Sequence, residues 1–162
     1  MMTWRAWVLG SFLLAGALAC STTDESSNGQ PCPAIACVDG LMLDFTLTDP
    51  GQYALTLTSE LGVVTCSATL PLPACDQPQA PCSDPDVILT ASGCALPEAQ
   101  HSLGGLHFTQ SYPKDLKLEV ERDGSGVGTA TLKPRYVDVA QPGGEECGPG
   151  CKQASMAVTF HQ

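Results

Sequence analysis

An all-β fold, an antiparallel β-sandwich of about seven to nine short strands stapled by disulfides, is what this sequence predicts. Three observations lead there. Apolar residues recur at every second position through most of the chain after residue 40, the period of a half-buried strand. Gly- and Pro-rich segments punctuate those runs at short intervals, as they do in sandwiches. Nine cysteines leave an even set of eight once Cys20 is set aside, which is the arithmetic of a disulfide framework.

The first 31 residues stand apart from this pattern. Arg5 is followed by an uncharged apolar stretch, Ala6 to Ala19, ending in small residues before Cys20. That is the layout of an export signal, and it is too short for a permanent membrane span of about 20 apolar residues. Leu14-Ala15-Gly16-Ala17-Leu18-Ala19-Cys20 resembles a bacterial lipobox, with Ala17 where Leu is usual and Leu18 displaced by one. Residues 1–19 therefore read as a lipoprotein signal peptide and Cys20 as the lipidated residue, with cleavage by an ordinary signal peptidase as the competing reading. Residues 20–31, all small or polar after Cys20 until Pro31, read as a flexible tether. Ser21, where sorted lipoproteins of the inner membrane carry Asp, points to the outer membrane, with the sandwich domain at residues 32–162 on the cell surface or the periplasmic face.

Within the domain the strands follow in order. Leu41, Leu43, Phe45 and Leu47 alternate with more polar neighbours, and Asp49-Pro50-Gly51 turns the chain. Tyr53, Leu55 and Leu57 form the apolar face of a second strand, and Val64, Cys66, Ala68 and Leu70 that of a third. Five prolines between Pro71 and Pro85 exclude a strand there and predict a loop held by Cys75 and Cys82. Val87 to Ala91 returns as a short strand. Leu96 to Leu103 is expected to hold one helical turn begun at Pro97 and ended by Gly104-Gly105, with a strand starting at Leu106. Leu116, Leu118 and Val120 face inward opposite Lys117, Glu119 and Glu121; Asp123-Gly124-Ser125-Gly126 turns into a strand over 127–133, a hairpin. Ala154, Met156, Val158 and Phe160 mark the last strand.

The eight remaining cysteines are Cys32, Cys37, Cys66, Cys75, Cys82, Cys94, Cys147 and Cys151, which allow 105 connectivities. Cys37 precedes the first strand and Cys151 the last. If those strands are parallel neighbours, as in immunoglobulin-like sandwiches, bridges can cross between the Cys32/Cys37 and Cys147/Cys151 groups. Two local loops, Cys32–Cys37 and Cys147–Cys151, are the alternative. For the middle four, Cys66–Cys75 and Cys82–Cys94 are the expected pairs. A four-sulfur zinc site at Cys32-x4-Cys37 and Cys147-x3-Cys151 is disfavoured by its long spacings and by the oxidising compartment that the export signal implies.

Charge and motifs narrow the function. The chain carries 7 Lys+Arg against 17 Asp+Glu, a net −10, which becomes −11 when Arg5 leaves with the signal peptide. Such a surface repels phosphate backbones and anionic headgroups, so nucleic-acid binding and basic peripheral membrane binding are excluded. No G-x-S-x-G elbow, H-E-x-x-H pair or P-loop is present, and the alternating glycines at 124–128 belong to a hairpin. His101, His107 and His161 show no metal-binding spacing, and a triad built on His107 has no motif behind it. Glu119 and Glu121 share one strand face about 7 Å apart, the arrangement of a solvated face. Asp84, Asp86, Glu145 and Glu146 are loop carboxylates that would suit calcium, though no EF-hand loop contains them. The loop from Gln141 to Cys151 reads as a stapled binding loop or a rigid connection.

The leader ending at Cys20, the strand Val63–Leu70 running into Leu-Pro-Leu-Pro and Cys75, the segment from Ser92-Gly93 to Leu103, and the closing Cys147-x3-Cys151-Lys-Gln-Ala-Ser resemble small cysteine-rich lipoproteins of myxobacteria. The resemblance covers nearly all of the chain after residue 20. It implies an immunoglobulin-like sandwich and carries over no activity. The expectation is a non-catalytic, outer-membrane, lipid-anchored envelope protein without cofactor or metal, serving as an interaction or adhesion module for a protein or glycan. Envelope binding of a small ligand or calcium, a secreted hydrolase, and capture of an extended peptide on an unpaired strand edge are the alternatives.

Overall fold

A computed structural model describes residue 32, residues 37–77 and residues 80–161. The expected signal peptide at 1–19, Cys20 and the expected tether at 20–31 lie outside the described residues. Nine strands are described: β1 (Gly40–Asp44), β2 (Gly51–Ser59), β3 (Gly62–Leu70), β4 (Val87–Ser92), β5 (Ser102–Phe108), β6 (Leu116–Arg122), β7 (Ser125–Leu132), β8 (Val137–Val139) and β9 (Cys151–Ala157). They form two sheets, ordered β4-β5-β1-β9-β8 and β3-β2-β6-β7. The all-β sandwich is thus the fold.

Alternation produces the core. Leu55 and Leu57 of β2, Leu118 and Val120 of β6, Leu41 and Leu43 of β1 and Leu106 of β5 are almost fully buried between the sheets. Their strand neighbours, such as Gln52, Ala54, Lys117 and Asp44, are exposed. The β2–β6 register sets Leu57 opposite Leu118 and Leu55 opposite Val120, so each apolar face is continuous across strands. The β6–β7 hairpin closes on Asp123 and Gly124 with φ of 53° and 75°, the left-handed pair that a two-residue hairpin turn needs.

Pairing is antiparallel with one exception: β1 runs parallel to β9, Gly40 opposite Gln153 and Asp44 opposite Ala157. Both strands therefore start at the same end, beside Cys37 and Cys151. Registers through β2 and β6 put the β2–β3 turn and the start of β6 at that end, called here the tether end. The turn at 49–51, the 123–124 hairpin, the loop after β3 and the loop before β5 make up the distal end.

Several expectations need correction. Cys66 bonds Cys82 and Cys75 bonds Cys94, not Cys66 with Cys75 and Cys82 with Cys94. After Leu70 the chain crosses the distal end and then returns beside β3. There the Ser67 N–H donates to Pro81 O and the Ser83 N–H to Thr65 O, at 3.0 and 2.8 Å. Cys66 and Cys82 become a pair without hydrogen bonds of its own, the close kind. The Pro-rich segment is therefore not purely loop, since it covers part of the β3 edge. Gly104 and Gly105 do not end a helix; a 3-10 turn spans Glu98–Gln100 and β5 already runs from Ser102. The last strand starts earlier than Ala154, at Cys151, and β8 was not anticipated.

Candidate functional site

The tether end is defined by two bridges. Cys32 bonds Cys147 and Cys37 bonds Cys151, at sequence separations of 115 and 114. The crossed arrangement is the one realised, the two local loops are not, and all four sulfurs that a zinc site would need are spent. Cys147 lies in a second 3-10 turn, Glu145–Cys147, so the loop from Gln141 to Cys151 serves here as a stapled connection into β9.

Beside the bridges lies a polar and aromatic network. Asp39 Oδ1 accepts hydrogen bonds from the Tyr112 hydroxyl at 2.9 Å and from the Lys152 backbone N–H at 2.8 Å. The Lys152 ammonium sits 5.9 Å from the Tyr112 ring centroid, and the Tyr112 and Tyr136 rings meet edge to face at 5.4 Å. The Tyr136 hydroxyl donates to Pro113 O at 3.0 Å. Glu60 accepts from the Lys114 backbone N–H at 2.7 Å, and these backbone donors hold its carboxyl below the usual range. The hydrogen bond to Asp39 raises the Tyr112 phenol, and burial together with the charge of Glu60 pushes Tyr136 up to about 12. These groups answer one another, so the network is a clasp joining the segments before β1, β6 and β9.

The clasp makes an alkaline prediction. A phenol whose pKa is raised by folding stabilises the fold fully below its unfolded value near 10, and that contribution is lost as pH rises through about 12. Tyr136→Phe is expected to flatten the fall of stability between those values, and to remove from the native absorbance titration a phenolate step lying toward the upper value. A Tyr136 titration at the ordinary tyrosine pH would refute it.

The distal end carries the open surface. Two clefts, of about 510 and 480 Å³, share Tyr53 and Asp123 in their walls. The first lies over the outer face of β2 and β3 under Pro73 and Pro81 and includes Glu121; the second runs along Thr46 to Asp49 and Ser125 to Val127. Between them Arg122 is ion-paired with Asp49, which raises the guanidinium further. Asp123 is fixed by the Gln52 N–H, which donates to its Oδ1 at 2.9 Å, and the Tyr53 hydroxyl donates to Asp49 O at 2.8 Å. Arg122 is thus already occupied, leaving Glu121 and Asp123 as the charges facing the first cleft. The surface suits a polar or cationic group.

The remaining candidates are dispersed. His101 is buried; its Nδ1 accepts the Leu72 N–H at 2.8 Å and its Nε2 faces Leu96 O at 3.0 Å, so both ring nitrogens are used in joining two distal loops. No feature of the sequence separated this structural histidine from the other two. His107 lies on the outer face of the five-stranded sheet, its Nε2 3.1 Å from Asp39 O, and His161 pairs through its backbone with Thr129. Glu119 pairs with Lys117 at 2.9 Å, and a bulge separates it from Glu121. Asp84 Oδ1 accepts the Asp86 N–H in a local turn. The Glu146 side chain lies outside the described ones. Among the described residues no three His, Cys, Asp or Glu side chains gather as a metal site.

Comparison with family models, with curated proteins and with solved structures yields no match to this chain.

Proposed function

We propose that this chain is a non-catalytic, lipid-anchored protein of the cell envelope, held at the outer membrane through Cys20, whose sandwich is an interaction or adhesion module. The observation that carries the reading is where the domain is fastened. Cys32 and Cys37, the first cysteines after the proposed tether, are both bonded at one end of the sandwich. An anchor at Cys20 then joins the domain at that end, and the opposite end, with its clefts and its exposed Glu121 and Asp123, is the one remote from the point of attachment. Disulfides fit an oxidising compartment, where thiols outside the cytosol pair.

Intact mass of the protein extracted from its native membranes, with and without reduction and alkylation, tests the anchor. The expected mass begins at Cys20 with acyl chains added, and eight thiols react only after reduction. A mass without lipid, or thiols that react without reduction, overturns it. A photo-crosslinking residue in place of Ser125 in living cells tests the module; adducts are expected there, and adducts confined to tether-end positions such as Val38 would defeat the distal end as the contact surface.

A further inference from the structure

We infer that β4 binds β4 of a second copy of this chain, edge to edge and antiparallel, which leaves the two tether ends pointing apart. The inference begins with the edges of the two sheets, β4 and β8 in one, β3 and β7 in the other. Three of these are closed or short. Residues 81–83 pair along β3, His161 exchanges two 2.9 Å bonds with Thr129 of β7, and β8 has only three residues. β4 has six, Val-Ile-Leu-Thr-Ala-Ser, with no charge, proline or bulge of its own to blunt it. The irregularity in its pairing lies on β5, where Leu106 to Leu103 span three steps against two from Leu89 to Ala91.

The bare groups can be named. The Thr109 N–H donates to Asp86 O, so Val87, opposite Phe108, turns its own N–H and C=O away from β5. Leu103 gives both of its groups to Leu47, so Ala91 opposite it also points outward, and Leu89 lies between them in phase. The Val87 N–H donates to Asp84 O at 3.1 Å. Among the described residues, the Val87 C=O and both backbone groups of Leu89 and Ala91 have no hydrogen-bond partner. A second β4 centred on Leu89 matches that set. Leu89 exchanges two bonds with its counterpart, and each Ala91 N–H meets the other copy's Val87 C=O. The one donor that this register leaves over, the Val87 N–H, is the one already engaged. On the outer face Ile88, 49% exposed, comes opposite Thr90, and Asp86 falls opposite Ser92, so no carboxylates meet between two acidic chains. That self-match favours a second copy over a foreign strand. β4 starts at the tether end, with Val87 beside Phe108 and Phe108 beside Leu41, so an antiparallel pair has its two points of attachment at opposite ends. With each chain anchored at Cys20, the reading on which this step rests, the pair joins copies held in two facing bilayers.

Sedimentation equilibrium of the mature chain, with Cys20 alkylated so that it cannot bridge copies, tests the pairing. A monomer–dimer equilibrium is expected in the native chain. Ala91→Pro removes the two bonds donated by Ala91, and Ile88→Lys places a charge on the edge; each should raise the dimer dissociation constant about tenfold or more. Val137→Lys, on the β8 edge, should leave it unchanged. Thr90→Glu should weaken the dimer too, and mixing that chain with the Ile88→Lys chain should restore it, because the two positions face each other. A native chain that stays monomeric at millimolar concentration, or a dimer that Ile88→Lys leaves intact, overturns the pairing and leaves the edge to a strand of another protein. If Ala91→Pro does not fold, Ile88→Lys, on an exposed side chain, carries the comparison. For the facing anchors, the chain is coupled through Cys20 to maleimide-bearing phosphatidylcholine vesicles. Turbidity is expected to rise with the native chain and not with Ile88→Lys; a dimer in solution without vesicle clustering overturns the opposed geometry. The coupling supplies the anchor chemically, so failure here is separate from failure of the lipid anchor, which the intact mass decides.

Discussion

Removing either tether-end bridge alone is expected to cost about 2.7 kcal/mol, and removing both about 7 kcal/mol, on the chain-entropy account of disulfides. The two numbers differ from simple doubling because the two bridges overlap, Cys32–Cys147 with Cys37–Cys151. Each by itself closes a loop of 115 or 114 residues, for which the account gives about 4.7 kcal/mol. Once one is in place, the other closes only the small ring formed by the chain from Cys32 to Cys37 and from Cys147 to Cys151, roughly ten residues. The first loss therefore forfeits the small ring and the second the large one. A domain with a typical stability of about 5–15 kcal/mol survives the first and is brought near its limit by the second. Guanidinium unfolding of the Cys32→Ala/Cys147→Ala, Cys37→Ala/Cys151→Ala and four-alanine chains checks this. Single losses near 4.7 kcal/mol each, or a four-alanine chain within about 1 kcal/mol of native, would contradict it.

The same crossed pair shows how far the sequence could be read. The position of Cys37 before the first strand and Cys151 before the last made a crossed pairing conditional on parallel neighbours, and β1 beside β9 meets that condition. The middle four cysteines were not open to that reasoning, because the partner of Cys66 depends on the chain returning along β3 at Pro81–Ser83. Nothing in a Pro-rich segment announces such a return. Strands with long clean alternation, β2, β3 and β6, were legible with their facing, since period 2 fixes which side is buried. β8 has three residues, two of them exposed, and so no period to read.

The functional site was less legible than the fold. His101, His107 and His161 are equivalent in sequence; only tertiary placement makes the first a buried brace and leaves the second on an outer sheet face. The distal clefts draw on Gln52, Tyr53, Glu121 and Asp123, which come together through sheet register, and on Pro73 and Pro81 beyond β3, and not on any local motif. Arg122 and Asp49 are 73 residues apart and meet only because β2 pairs β6. Spacing rules see neighbours along the chain, and this surface has few.

Gly104 and Gly105, adjacent in sequence, are expected to respond in opposite directions to alanine. Both lie inside β5, where the burial pattern reads buried, exposed, buried, buried from Leu103 to Leu106, so the alternation changes phase at Gly105. That phase change is the reason a Gly-Gly pair looked like a stop signal and proved to be a strand interior. Gly105 has φ of +127° and is buried, and an added Cβ would collide with the Leu43 carbonyl oxygen of β1. Backbone cannot swing aside as a flexible side chain can, and an L-residue at this φ is strained besides, so Gly105→Ala should cost about 2–5 kcal/mol from overpacking and conformation together. Gly104 is exposed, has an ordinary φ and finds nothing within 4 Å of an added Cβ. There alanine removes freedom from the unfolded chain without touching the folded one, for a gain of about 0.4–1 kcal/mol. Denaturant midpoints of the two single variants decide the matter. A Gly105→Ala midpoint equal to native would mean that β1 and β5 do not approach as closely as described, and a Gly104→Ala loss above about 1 kcal/mol would mean that the exposed face of β5 is covered.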